Sequence, residues 1–288
     1  MTAPGTEDLR QLLAVWPDDD DPAGGWRLRG RDQPHPADRV FGGLQLAQAV
    51  SCAAATAPEA HVPIGLQADF LAGVPVTGES SWRVDDLGTS PGTSARRADL
   101  LDDGRSAFTC VVRLGRVRED LPGYSEVRPR ECPPPDDLVG LPERYGEDER
   151  VPPWWSRPRP VDFRHVETPA YTAPVSPAVT ELTMWWRTPD PMDDPVLVAS
   201  CLAYVADMSV LEPAFRRLGS ARHLAGSRIL SMSHSMVFHA LPRLDGWMQM
   251  DCRVEVMSHG RALGVAEIFT AGGEHVATVS QLGLIKTG

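Results

Sequence analysis

Two stretches far apart in the chain repeat one design. Residues 95–115 read as a strand, a glycine-containing turn and a second strand, and residues 264–283 read the same way. The turn is Asp102-Asp103-Gly104 in the first and Ala271-Gly272-Gly273-Glu274 in the second. Asp-Gly and Gly-Gly between strand-like runs are hairpin signals. The residues diverge but the order of elements agrees. A repeated supersecondary unit constrains the whole fold, so the chain is expected to form two like units joined as a pseudo-dimer rather than two unrelated domains. A length of 288 residues and a hydrophobic content of 42% give both units material for a core.

Residues 44–57 predict a helix dominated by alanine, with Gly42-Gly43 ahead of it and Pro58 as its stop. Its small residues suit a helix buried close against a sheet. Strands are predicted at 62–71, 80–87, 94–101 and 105–114. Residues 116–163 hold ten of the 27 prolines, including Pro133-Pro134-Pro135. Proline lacks the N–H that helices and sheets use, so a linker running over the surface is expected, tacked to the body by Trp154-Trp155. Beyond it, strands are predicted at 179–187, 196–205, 228–239, 247–257, 262–270 and 276–285. A helix is predicted over 207–218, its regular part starting near Glu212 because Pro213 cannot sit deep inside it, with Asp207 in the turn ahead. The expected organisation is a lead-in over 1–25, with one short helix near 9–15 and an acidic run at 18–21, a first unit over 26–115, the linker over 116–163 and a second unit over 164–288.

A formal net charge of -11 argues against a general nucleic-acid binder, which needs a basic face to meet phosphates. Lys286 is the only lysine among many arginines, a bias that carries little function. The five cysteines (Cys52, Cys110, Cys132, Cys201 and Cys252) form no C-x-x-C pair and suit buried free thiols. No apolar region follows a positive N-terminus and no stretch approaches eighteen apolar residues, so a cytoplasmic protein without a membrane span is expected.

Several enzyme signatures can be set aside. Gly88-Thr89-Ser90-Pro91-Gly92 spells the G-x-S-x-G elbow, but the residue after the serine must lend a backbone N–H to the oxyanion and Pro91 has none. There is no P-loop, no G-x-G-x-x-G and no H-E-x-x-H. His234 and His239 lie five apart in a strand, on opposite faces, and one of them suits a hydrogen-bonded core position better than a metal site. No metal and no cofactor are implied.

Five segments, in order, carry a resemblance. Val40-Phe41-Gly42-Gly43-Leu44-Gln45 resembles the start of the first helix in the TesB-like acyl-CoA thioesterases (thioesterase II), and Ser94-Ala95-Arg96-Arg97 resembles that family's SxR strand. Leu202-Ala203-Tyr204-Val205-Ala206-Asp207 resembles the segment that ends in its catalytic aspartate. Ser231-Met232-Ser233-His234-Ser235-Met236-Val237-Phe238-His239 resembles its T/S-x-D-H-S-M-x-F-H strand, and Val279-Ser280-Gln281-Leu282-Gly283 its final strand with a catalytic glutamine. Ser233 stands where aspartate is common, and Gln67-Ala68-Asp69-Phe70 lacks a usual histidine. The resemblance implies an α+β double hotdog: two antiparallel sheets, each wrapping a central helix, fused as a pseudo-dimer with the active site where the units meet. It implies Asp207, Ser231 and Gln281 as catalytic residues. Gly42 and Gly43, without side chains, allow close approach of backbone to a ligand and are read as substrate-binding together with Arg96; Arg96 and Arg97 alternate across their strand, so at most one of them meets the CoA phosphates, and a surface pair is the favoured alternative.

That set suits thioester hydrolysis. A thioester carbonyl is already electrophilic, so an oriented water, a group to take its proton and donors for the oxyanion suffice. Asp207 can take the proton, Ser231 and Gln281 can fix the water or Asp207, and backbone N–H groups at the helix start can polarise the carbonyl. Aligning Gly104 with Gly273 sets Val112 opposite Gln281, so the polar set occurs once, in the second unit. Three readings follow. The first is an acyl-CoA thioesterase, expected as a homo-oligomer. The second is a release enzyme acting on carrier-protein-bound or polyketide-like acyl chains, betrayed by a cyclised product. The third is a non-catalytic acyl-CoA binder, betrayed by stoichiometric uptake without thiol release.

Overall fold

A computed structural model describes residues 6–18, 25–33, 35, 38–118, 120–156, 159–175 and 180–288. In chain order the first half has α1 (Thr6–Leu13), β1 (Val15–Pro17), β2 (Trp26–Arg31), α2 (Gly42–Ala55), β3 (Val62–Phe70), β4 (Glu79–Thr89), β5 (Thr93–Asp102) and β6 (Arg105–Gly115). The second has α3 (Leu141–Tyr145), α4 (Pro153–Ser156), β7 (Asp162–His165), β8 (Glu181–Arg187), α5 (Pro195–Ala206), α6 (Pro213–Arg217), β9 (Arg228–Phe238), β10 (Met248–Ser258), β11 (Arg261–Thr270) and β12 (His275–Lys286). Most of the acidic run at 18–21 and the start of the strand predicted at 179 lie outside the described residues.

All the named strands join one antiparallel sheet in the order β1-β2-β4-β5-β6-β3-β9-β12-β11-β10-β8-β7. Where two sheets were expected, there is one. Strands β3 and β9 pair from Gly65↔Val237 to Asp69↔Ser233 and so cover each other's backbone donors and acceptors. Read outward from that junction, β3-β6-β5-β4-β2 and β9-β12-β11-β10-β8 have the same connectivity. Helices α2 and α5 pack against each other and are buried along most of their length.

Residues 196–205, predicted as a strand, form α5 instead. The segment Val196-Leu197-Val198-Ala199-Ser200-Cys201-Leu202-Ala203-Tyr204-Val205 is apolar on nearly all sides because it is buried on all sides, and an unbroken apolar run has no period to tell helix from strand. Its start is specified locally: Pro195 takes the first turn, and the Asp194 side chain caps it by accepting from the Leu197 N–H at 2.8 Å. Asp207 is therefore the C-cap of α5, and the helix expected over 207–218 shrinks to α6 behind Pro213. The proline-rich stretch also departs from a surface linker. Leu141, Tyr145, Val151, Trp155 and Val161 are in the core, and β7 extends the sheet. Proline removes backbone donors but does not stop the apolar side chains between prolines from burying.

Candidate active site

Asp207 owes its place to the end of α5. The start of α2 abuts it there: a Cβ on Gly43 would overlap the Tyr204 carbonyl oxygen, and one on Gly42 would stand 2.5 Å from Asp207 Oδ2. Only glycines let the two helix ends meet so closely. Downstream, the segment 207–212 lies on the sheet over Gly264, where a Cβ would overlap the Val210 carbonyl. Asp207 is thus held above strand β12, beside the N-terminus of α2.

Strand β9 supplies Ser231 by means of an irregularity. Leu282 pairs with Ser233 but Gly283 pairs with Ser231, so Met232 is an extra residue in the ladder. In a regular strand Ser231 and His234, three apart, would face opposite sides. The bulge turns Ser231 to the side of His234 and of its cross-strand partner Gln281.

The three side chains meet. Ser231 Oγ donates to Asp207 Oδ1 at 3.0 Å, and Gln281 Nε2 donates both to Asp207 Oδ1 and to Ser231 Oγ, each at 2.8 Å. A carboxylate can only accept, so the amide must present its NH2 group to Asp207. Gln281 Oε1 then faces His234 Nδ1 at 2.5 Å, which fixes the histidine tautomer with its proton on Nδ1. Burial lowers the His234 pKa to about 4, so the ring is neutral near pH 7. His234, read from sequence only as a candidate core histidine, is thus the residue that orients Gln281. Its signal was its place in the H-S-M-x-F-H strand. Burial raises the Asp207 pKa from 3.8 to about 6, against the hydrogen bonds from Gln281 and Ser231, the charge of Arg222 and the Gly43 N–H, all of which lower it. The product is a carboxylate ionised at pH 7 yet far more basic than an exposed one.

These groups open on a cavity of about 470 Å³ walled largely by apolar side chains such as Phe41, Phe70, Leu71, Val210, Leu211 and Ile229. Gly42, Asp207, Ser231 and Gln281 line it. Gln45 lines it too: its Nε2 donates to the Val40 carbonyl at 3.0 Å, while its buried Oε1 has no partner among the described residues. Sequence reading gave Gln45 no role. Arg96 is not brought to the cavity. It is 2% exposed, and its guanidinium is spent on the Thr56 carbonyl, on Asp86 at 2.7 Å and on Thr89. Its neighbour Arg97 pairs with Asp85 and Asp99. Ser233, Gln67 and Asp69 lie along the β3–β9 junction outside the cavity lining, so these departures leave the polar cluster untouched. Among the described residues, no group of three or more His, Cys, Asp or Glu side chains could hold a metal ion, and no helix is long and apolar enough to cross a membrane.

Comparison with known proteins gives a consistent picture. A family profile for the acyl-CoA thioesterase N-terminal domain matches residues 31–115, and one for the acyl-CoA thioesterase C-terminal domain matches residues 129–285. Acyl-coenzyme A thioesterase 8 from Homo sapiens is 25% identical over 293 residues, which cover 97% of this chain and 90% of the human protein. The solved structure of a tesB protein from Mycobacterium avium subsp. paratuberculosis aligns with a TM-score of 0.77 and 26% identity, covering 98% of this chain and 99% of that one. A conserved protein with a hot dog fold from Alicyclobacillus acidocaldarius aligns with a TM-score of 0.76 at 20% identity, covering 96% of this chain and 97% of that one.

Proposed function

Because the chain belongs to the acyl-CoA thioesterase family, we propose that it hydrolyses acyl-CoA thioesters to free acid and CoA with Asp207 as the general base. The convergence of Asp207, Ser231 and Gln281 from three separate elements in one cavity is the observation that carries this reading. The carrier-bound and non-catalytic alternatives have no support comparable to the family profiles and to acyl-coenzyme A thioesterase 8 of Homo sapiens.

A water hydrogen-bonded to Asp207 gives up its proton to the carboxylate as its oxygen bonds to the thioester carbon. The carbonyl π electrons move onto the oxygen, which the backbone N–H of Gly42 at the start of α2 stabilises, that of Gly43 being given to Asp207. Collapse of the tetrahedral intermediate re-forms the carbonyl and breaks the C–S bond. The proton held by Asp207 then leaves with the CoA thiolate. Ser231 and Gln281 hold Oδ1, and His234 holds Gln281, so the basic lone pair of Oδ2 stays aimed at the water. A base with a pKa about one unit below working pH is close to the optimum for such a transfer.

The finer architecture belongs to the same reading: two hotdog units over 26–115 and 164–288, fused as a pseudo-dimer, each with its central helix, α2 or α5. The matching strand orders on either side of the β3–β9 junction support it. One working site is expected, since the Gln281 position corresponds to the buried Val112 in the first unit. A cytoplasmic homo-oligomer is the assembly proposed, supported by the exposed apolar residues Leu230, Met232, Val237 and Leu284 on β9 and β12. Thiol release from acyl-CoAs of graded chain length tests the activity. Turnover that yields stoichiometric free acid is expected, and thiol release with a cyclised product, or ligand uptake with no thiol, overturns it.

A further inference from the structure

The same cavity carries a cation that acts on Asp207 through its charge but makes no ion pair with it. Arg222 lines it together with Asp207. The Arg222 backbone is fixed by its N–H to the Ala170 carbonyl at 2.8 Å, and its guanidinium lies over the Trp155 ring at 4.5 Å from the centroid. Among the described residues no carboxylate comes within ion-pair distance of it. The nearby acid Glu212 is taken by Arg216 at 3.0 Å and by the Ala170 N–H. A second guanidinium, Arg159, lies over Trp155 at 5.1 Å and Phe163 at 4.7 Å, and among the described residues its hydrogen-bond partner is the sulfur of Met208, another cavity residue.

The surroundings hold further polar groups without partners, none of them an anion. Tyr171 is 1% exposed with an unpartnered hydroxyl, and His165, whose ring lies 6.1 Å from it, is 2% exposed with neither nitrogen bonded among the described residues. Burial and the neighbouring arginines hold His165 near pKa 3, and burial with Arg222 holds His223 near 4, so neither histidine adds charge at pH 7 and both register a positive field. A guanidinium has five N–H donors and no acceptor, and that of Arg222, on a partly exposed residue lining the cavity, would lose its water to any chain that covers it. Asp207 and Glu212 act on Arg222 only at a distance, and what its guanidinium lacks among the described residues is a carboxylate close enough to pair with it. The CoA phosphates lie a whole pantetheine arm away from the thioester, whereas Arg222 shares the cavity with the group that meets the thioester carbonyl.

We propose that Arg222, backed by Arg159, is a recognition site for a carboxylate carried on the acyl group, so that the enzyme selects mono-CoA thioesters of dicarboxylic acids over neutral acyl-CoAs of equal length. The inference rests on the acyl-CoA hydrolase reading. A neutral chain leaves the guanidinium desolvated and unpaired, while a terminal carboxylate pairs with it. A site built to bond a polar group discriminates against the analogue that lacks it far more strongly than an apolar pocket discriminates by size.

The test compares kcat/KM on matched pairs, glutaryl-CoA against pentanoyl-CoA, adipyl-CoA against hexanoyl-CoA and suberyl-CoA against octanoyl-CoA, for the wild-type chain and Arg222→Gln. The wild type is expected to favour the carboxylated member on the order of 10²-fold at one or more lengths, and Arg222→Gln to bring that ratio close to one. Should Arg222→Gln fail to fold, free glutarate, adipate and suberate are compared with the matched monoacids as inhibitors of the wild type, where the dicarboxylates are expected to inhibit at least tenfold more strongly. Hydrolysis with no preference for the carboxylated partner at any length, or a preference that survives Arg222→Gln, overturns the site alone. Absence of hydrolysis on every member of the panel overturns the acyl-CoA reading and the site with it.

Discussion

Asp207 should cost the fold stability in proportion to its value to the chemistry. Burial lifts its pKa from 3.8 to about 6, a rise of about two units. At 1.36 kcal/mol per unit, the ionised carboxylate destabilises the folded state by about 3 kcal/mol at neutral pH relative to the same group in the unfolded chain. The sign follows from proton binding. Between about pH 4 and pH 6 the folded state holds a proton that the unfolded state has lost, so stability falls as pH rises through that window. Below it both states are protonated and the penalty vanishes; above it the penalty is complete. Asp207→Asn removes the titration while keeping an acceptor for Gln281 and Ser231, and the amide's extra donors in an acceptor-built position take back about 1 kcal/mol. The variant should therefore be about 2 kcal/mol more stable than wild type at pH 7.5, a gain in Tm of several degrees, and about 0.5 kcal/mol less stable at pH 4, where the penalty has nearly gone and the cost of the amide remains. Its kcat should drop by about 10²–10⁴-fold, the usual worth of a positioned general base. Calorimetry at the two pH values, run beside a thiol-release assay, reads both effects. An Asp207→Asn protein that is less stable at pH 7.5, or that still turns over at near wild-type rate, refutes the assignment of Asp207 as a base whose ionised form the fold disfavours.

Further outcomes follow from the same geometry. The kcat/KM of the wild type should rise with pH with a midpoint near the Asp207 pKa of about 6, and a flat profile from pH 5 to 8 would contradict a base in that state. Gln281→Ala should lower kcat by about 10–10²-fold, since it frees Asp207 Oδ1 and Ser231 and leaves His234 Nδ1 without its acceptor; a fall in Tm with unchanged kcat would make Gln281 purely structural. Gly42→Ala should nearly abolish turnover, because the added methyl meets Asp207 Oδ2 at 2.5 Å and Phe70 at 3.0 Å, with activity and melting both measured to separate displacement of the base from unfolding. Arg216→Ala should cost about 3–5 kcal/mol in chemical denaturation by stranding the buried Glu212.

How far such a site can be read from sequence depends on whether local or tertiary forces set each part. The hairpin of β5 and β6 and the helix α2 were legible because Asp103-Gly104 and the alanine run with its flanking glycines encode them locally, and the observed bounds fall within two residues of the predicted ones. The helix α5 was not, because its burial on every side erases the periodicity on which the reading relied; only Asp194-Pro195 marked its start. Asp207 does stand in the turn ahead of the helix at Pro213, as expected, but the missed helix meant that its second role, as the C-cap of α5, was not seen. The residue was identified through resemblance, while its titration depends on the meeting of two helix ends that no local pattern encodes. Ser231 shows the same limit from the side of the sheet. Strict alternation would turn it away from His234, and the bulge at Met232 that reverses this arises from the pairing of β9 with β12 across 50 residues of chain. Arg96 failed in the opposite sense: a charged residue in a matching motif suggested a phosphate, yet the carbonyl of Thr56 and the carboxylate of Asp86 had already claimed it. Arg222 carried no motif at all, and among the described residues no carboxylate pairs with it in the cavity. The cations worth testing in such a pocket are therefore those that the fold leaves without a partner, and this property becomes visible only once every acceptor around them has been assigned.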